Sequence, residues 1–198
     1  MILELISQPL DWPSSVSGTM QELCHDWDGA TFAPPARFRL VQDPSHLWLI
    51  AGRNKATSGC SSASCGEFKA ELWKQDVAEL FIASPDFKNY LEFNLSPRGA
   101  WWTALFSGPR SQTSLGALPE VTCRAGQDDA GVWNAAMGIP LEWLCETIAW
   151  GEDSPLNVTF ILDSPHQRFL TACDLGEGEP DFHRPEHFQV PNKVGPEV

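Results

Sequence analysis

The 198-residue chain is short of positive charge: 13 Lys and Arg stand against 26 Asp and Glu, giving a formal net charge of −13 and a pI near 4.6. A field of that sign repels phosphate backbones and anionic lipid. Nucleic acid and membrane surfaces are therefore poor fits as partners, and neutral ligands or cations fit better. No apolar run approaches the roughly 18 residues that a spanning helix needs. The opening MILELISQPLDWP lacks a basic stretch and meets acids and prolines early, so no secretory signal is visible. The cytoplasm is the expected compartment, or the periplasm or exterior if the N-terminus has been processed. Long helical periodicity is missing, as are a G-x-S-x-G elbow and a Gly-rich phosphate loop before a helix.

What is present is aromatic mass and punctuation. Nine Trp and eleven Phe accompany a single Tyr, and 16 Pro with 15 Gly interrupt the chain at short intervals. Short apolar alternations between turn signals are the mark of packed antiparallel sheets. Nine strands are predicted: 36–43, 46–53, 76–83, 89–96, 100–107, 120–126, 132–139, 157–163 and 168–174. PLEWLCE (140–146) reads as one short helix with Pro140 at its first position. The expected fold is all-β, a two-sheet antiparallel β-sandwich of jelly-roll type with one short helix, in a single domain spanning 1–198.

Two of these strands carry an acid in mid-run, Glu79 in DVAELFIA and Glu92 in NYLEFNLS. Side chains alternate between faces along a strand. Ala78, Leu80 and Ile82 form one set and Leu91, Phe93 and Leu95 another, both facing the core. Val77, Glu79 and Phe81, with Tyr90, Glu92, Asn94 and Ser96, face the other way. The acids thus belong to a second sheet face, mixed with aromatics and an amide.

Several chemistries compete for that face. Two carboxylates in one cleft can serve as acid and base in a glycosidase, or can simply accept hydrogen bonds. A sugar site needs flat aromatic surface and a few placed polar groups. Trp73, Glu79, Glu92, Asn94, Arg98 and Trp101 supply that mixture within 29 residues. The competing reading has Trp73 and Trp101 capping the sandwich edges. Haem would need axial His or Met ligands; Met137 shares the parity of Trp133 and Ile139, a core pattern, which disfavours it.

Metal and thiol chemistry are weaker still. His183 and His187 in PDFHRPEHF have i, i+4 spacing, but Pro180 and Pro185 oppose the helix that would converge them on zinc. Asp174, Glu177, Glu179 and Asp181 offer oxygen ligands suited to a structural calcium, or form a solvated loop. No cofactor is demanded. The six Cys are scattered and expected as free thiols. Cys60 and Cys65 in GCSSASCG could close a small disulfide or hold half a metal site, but a plain loop is favoured because no second Cys/His pair has zinc spacing.

Taken in order, ELWKQDVAELFI, NYLEFNLSPRGAW, WNAAMGIPLEWL and PDFHRPEHF resemble the DOMON-like superfamily that includes family 9 carbohydrate-binding modules. The likeness runs from about residue 47 to 190. It implies a jelly-roll sandwich that binds sugars, or haem in some relatives, without catalysis. It also implies sugar contacts at Trp73 and Glu79. The expected function is non-catalytic binding of a carbohydrate or related small polar ligand on a concave sheet face. The alternatives are a haem-binding or protein-interaction domain of the same fold, or a glycoside-processing enzyme.

Overall fold

A computed structural model describes residues 1–12, 18–57, 62–128 and 131–195. Among these the chain forms β1 (Ile2–Leu5), β2 (Gln21–His25), β3 (Thr31–Gln42), β4 (His46–Arg53), β5 (Val77–Ala83), β6 (Tyr90–Leu95) and β7 (Trp101–Phe106). There follow β8 (Gln112–Thr113), β9 (Thr122–Gln127), β10 (Trp133–Pro140), helix α1 (Leu141–Ile148), β11 (Leu156–Leu162), β12 (Arg168–Thr171) and β13 (Asn192–Val194). All nine predicted strands and the helix are present, with ends shifted by a few residues at most places. Four short strands, β1, β2, β8 and β13, were not predicted, since each is too brief to show alternation.

Two sheets result. One runs β13-β1-β3-β4-β10-β9, with β2 also on β3; the other runs β12-β11-β5-β6-β7-β8. The expected antiparallel sandwich is present, and the departure lies at β1, which pairs in parallel with both β3 and β13. No helix among the described residues is long and apolar enough to cross a membrane.

The core between the sheets holds Ala78, Leu80, Ile82, Leu91, Phe93 and Leu95 against Leu40, Leu49, Trp133 and Met137. Parity therefore assigned the core faces of β5 and β6 correctly. Burying such side chains stabilises by roughly 1.5–3 kcal/mol each. The opposite face is not the lightly covered one that alternation suggests. Every residue of β5, β6 and β11 is buried on both sides. A second apolar layer, with Val77, Phe81, Tyr90, Phe106 and Ile161, packs under Leu175, Phe182 and Phe188 of the C-terminal segment.

That segment is pinned at several points. Leu156 and Gln189 exchange backbone hydrogen bonds at 2.9 and 3.0 Å. Arg184 Nη1 donates to the carbonyls of Leu175 and Glu177 at 2.7 and 3.0 Å. Trp27 Nε1 donates to Gly178 O at 2.7 Å. A further tie crosses between the sheets: buried Arg53 on β4 pairs with Asp163, just past β11, at 2.7 Å.

Candidate functional site

The pairing register lays the outer face of the second sheet out in rows, because residues opposite one another share a face. One row reads Thr171, Thr159, Glu79, Asn94, Trp102 across β12, β11, β5, β6 and β7. The next reads Asn157, Phe81, Glu92, Ala104, and the one after it Ala83, Tyr90, Phe106, Gln112. Glu79 and Glu92 are thus diagonal neighbours on one face.

A cleft of about 430 Å³ opens over these rows. Its floor carries Glu79 and Glu92, with Phe81 and Ile161; Trp73, Trp102, Phe169, Arg110 and Gln112 form the walls, and Phe182 and His183 come from the C-terminal segment. The cleft is where the covering segment stops short of closing the sheet.

The acids are almost without solvent, at 2% and 6% exposure. Thr159 Oγ1 donates to Glu79 Oε2 at 2.8 Å, and Asn94 Nδ2 donates to Glu92 Oε1 at 2.9 Å. Burial, and then the charge of Glu92, push the Glu79 carboxyl far above the usual carboxylate range. Burial also raises Glu92, while the Asn94 hydrogen bond and the Arg110 charge pull it back. Two such acids hold fewer than two negative charges near neutral pH.

The third titratable wall residue is His183. Its Nδ1 lies 2.8 Å from the Tyr90 hydroxyl, and its Nε2 lies 3.7 Å from Glu92 Oε2. The Arg110 backbone N–H donates to Tyr90 Oη at 3.1 Å; with the phenolic proton directed at His183 Nδ1, the imidazole N–H would stand at Nε2, on the Glu92 side. Burial, reinforced by Arg110, lowers the His183 pKa to about 4. The imidazole is therefore neutral at neutral pH. Arg110 itself sits in the β7–β8 turn with a left-handed φ of 56 and pairs with Asp181 at 2.9 Å.

Of the six residues that sequence reading grouped, Trp73, Glu79 and Glu92 line the cleft, and Asn94 is buried between the two acids. Trp73 stands in a 3-10 turn (Leu72–Lys74), is 47% exposed, and receives Gln167 Nε2 on its carbonyl. Arg98 and Trp101 lie elsewhere. Trp101 belongs to the inter-sheet core, with Nε1 donating to Gly66 O at 3.2 Å. Arg98 is exposed in the turn Ser96–Gly99, beside Cys65 and Gln127. That turn requires glycine at 99: its φ is +81, and a Cβ there would stand 2.6 Å from Cys65 Sγ.

Sequence reading missed Trp102, Arg110, Gln112, Phe169 and Phe182, and weighed His183 for zinc rather than for this cleft. Trp102 had a signal, since strand parity puts it opposite Trp101. The others depend on contacts between distant segments. The acidic loop is dispersed: Asp174 Oδ1 accepts from Gly176 N, while Asp181 serves Arg110 and the His183 N–H. Among the described residues no three His, Cys, Asp or Glu side chains gather as a metal site, and His187 is exposed, away from the cleft. Cys60 lies outside the described residues, and so does its pairing with Cys65.

No family model and no curated protein matches this sequence. Solved structures do match. A candidate carbohydrate-binding protein from Bacteroides uniformis superposes with a TM-score of 0.76 at 16% identity, covering 98% of each chain. A family 9 carbohydrate-binding module from Caldicellulosiruptor kristjanssonii in complex with cellotriose gives 0.65 at 12% identity, over 100% of this chain and 94% of that one. The module in complex with glucose gives 0.64 at 13% identity, over 100% and 96%. The likeness is one of fold: this chain is a sandwich built like a family 9 carbohydrate-binding module.

Proposed function

We propose that the chain binds a carbohydrate, without catalysis, in the cleft over Glu79 and Glu92. The observation that carries this reading is the cleft's make-up. Two indoles, Trp73 and Trp102, stand in the walls above a floor of hydrogen-bond acceptors, and pockets of mixed aromatic and polar lining suit sugar rings with their hydroxyl edges. Neither indole N–H has a hydrogen-bond partner among the described residues, which leaves both free to donate to a ligand. Arg110 and Gln112 add further donors at the mouth. The fold supports the same reading, because modules of this architecture have been solved with glucose and cellotriose bound.

Binding rather than turnover fits the floor. A hydrolase needs a carboxyl that reaches the glycosidic oxygen and another that reaches water or the anomeric carbon. Here both acids are hydrogen-bonded within the sheet, to Thr159 and Asn94. Titration calorimetry with glucose, cellotriose and a panel of other mono- and oligosaccharides tests the proposal. Saturable binding that Trp102→Ala weakens at least about tenfold, the loss of one good stacking contact, is expected. Absence of binding across the panel, or equal binding by Trp102→Ala and Trp73→Ala, contradicts it. Release of reducing sugar from any glycoside, abolished in Glu92→Gln, would transfer the site to the enzymes.

A further inference from the structure

Asn94 is fully buried, and its Oδ1 has no hydrogen-bond partner. A buried carbonyl left empty costs roughly 1–3 kcal/mol, so a missing donor is to be sought nearby. Asn94 is opposite Glu79 on β5 and Trp102 on β7 in the pairing register. Directly opposed side chains have Cβ atoms about 4.5–5.5 Å apart, within hydrogen-bonding reach for Asn and Glu. Thr159 fills one Glu79 oxygen, Oε2, and among the described residues it is Glu79's one hydrogen-bond partner. The second oxygen can supply the missing donor only if it carries a proton.

We propose that Glu79 is held as the neutral acid, donating its proton to Asn94 Oδ1, while Glu92 is the carboxylate of the pair, so that the sugar cleft works with one stored proton. This rests on the carbohydrate reading for its effect on ligands, but not for the proton itself. The chain then runs in one direction. Thr159 donates to Glu79, Glu79 to Asn94 and Asn94 to Glu92, whose second oxygen lies 3.7 Å from His183 Nε2. His183 Nδ1 is hydrogen-bonded to the Tyr90 hydroxyl, which accepts from the Arg110 N–H.

The charged and titratable neighbours decide which acid keeps the proton. Arg110, from the β7–β8 turn, lowers the cost of a charge on Glu92, and His183, from the C-terminal segment, faces Glu92. Asp181 is paired with Arg110, and Tyr90 on β6 is a neutral phenol. β11 offers Glu79 a hydroxyl and no cation. Asp76, beside the start of β5, accepts from the Ser164 N–H, and Lys74 is paired with Glu71 over the Trp73 ring. Exchanging the Asn94 oxygen and nitrogen would put the proton on Glu92 instead, the order that the Arg110 charge beside Glu92 opposes.

A ligand seated on this floor removes its remaining water and so favours the protonated form further. By linkage, affinity must fall once the solution pH strips the proton from the free site.

Carbon-13 titration of the glutamate carboxyls in the ligand-free chain is the test, with signals assigned independently by Glu79→Gln and Glu92→Gln. As pH rises through neutrality the Glu92 carbon is expected to move to the carboxylate position first, while the Glu79 carbon is still in the neutral-acid position at about pH 7. The reverse order, or both ionised, overturns the proposal. Calorimetry with cellotriose adds the ligand arm: wild-type affinity is expected to fall about tenfold from about pH 7 to about pH 9, and Glu79→Gln to lose that dependence. Binding with a flat wild-type profile overturns the coupling. If wild type binds no sugar at all, the carbohydrate reading fails, and the carbon-13 order still decides the proton.

Discussion

The Tyr90 hydroxyl sits 2.8 Å from Nδ1 of His183, joining β6 to the segment that covers its outer face. The same oxygen accepts the Arg110 N–H, so one phenol positions two cleft residues from two different segments. Its ring stacks on Phe106 at 4.9 Å with 7° between the planes.

Tyr90→Phe keeps the stacking and removes both hydrogen bonds. The Arg110 N–H and His183 Nδ1 lose their shared partner, at a cost of about 1–3 kcal/mol. Denaturant unfolding should show that loss, and sugar affinity should drop with it. Unchanged stability would mean that water replaces the hydroxyl without cost.

Trp101 and Trp102 adjoin in sequence and diverge in consequence. Trp101→Ala empties part of the inter-sheet core and should cost about 3–5 kcal/mol. Trp102→Ala alters a half-buried wall, so its stability cost should be clearly smaller while ligand affinity suffers. Equal destabilisation by the two changes contradicts the assignment of faces.

Arg53 is 2% exposed and depends on Asp163, with its Nε on Pro34 O. Although burial opposes it, Arg53 and Lys55 hold the Asp163 carboxyl below the ordinary range. Asp163→Ala leaves a buried cation unpaired, for which about 3–5 kcal/mol is the expected loss. Chemical denaturation measures it, and a change below 1 kcal/mol (about the worth of an exposed pair) would show that the pair is not a structural tie.

Stability should also depend on pH with two opposing slopes. Burial raises both carboxyls of the acid pair well above the ordinary 4.5, Glu79 further by the charge of Glu92. The native state then binds more protons than the unfolded one, so this contribution is full below 4.5 and is lost as pH rises through neutrality. His183 is the converse: lowered from 6.5 to about 4, it contributes above 6.5 and loses that contribution as pH falls through 4. Melting temperature should therefore decline from mildly acidic to alkaline pH, and Glu79→Gln should flatten the decline. A wild-type melting temperature that holds steady from about pH 6 to about pH 9 removes the buried-acid account.

These expectations show which features local sequence carries. Alternation in VAELFI and YLEFNL was sufficient to put Glu79 and Glu92 on one face, because a period of two is a property of the strand alone. It could not say that the face is buried again, since Phe182 and Phe188 arrive from some 90 residues downstream. Parity through AWWTALF separates Trp101 from Trp102 but leaves open which of them faces the core; the pairing of Trp102 with Asn94 decides it. Arg98 looked close in sequence, but a turn ending at Gly99 directs it to the other side of the sheet. Arg110 and His183 meet through Tyr90, a contact with no local signature.

The most direct measurement is an amide and indole N–H chemical-shift titration of the whole chain with glucose and cellotriose. The indole signals of Trp73 and Trp102, with the backbone of Arg110 and His183, are expected to move together with one saturating curve, while Trp101 and Arg98 stay fixed. Shifts centred on Arg98 and Trp101, or none at any position with any sugar, would contradict carbohydrate binding in this cleft.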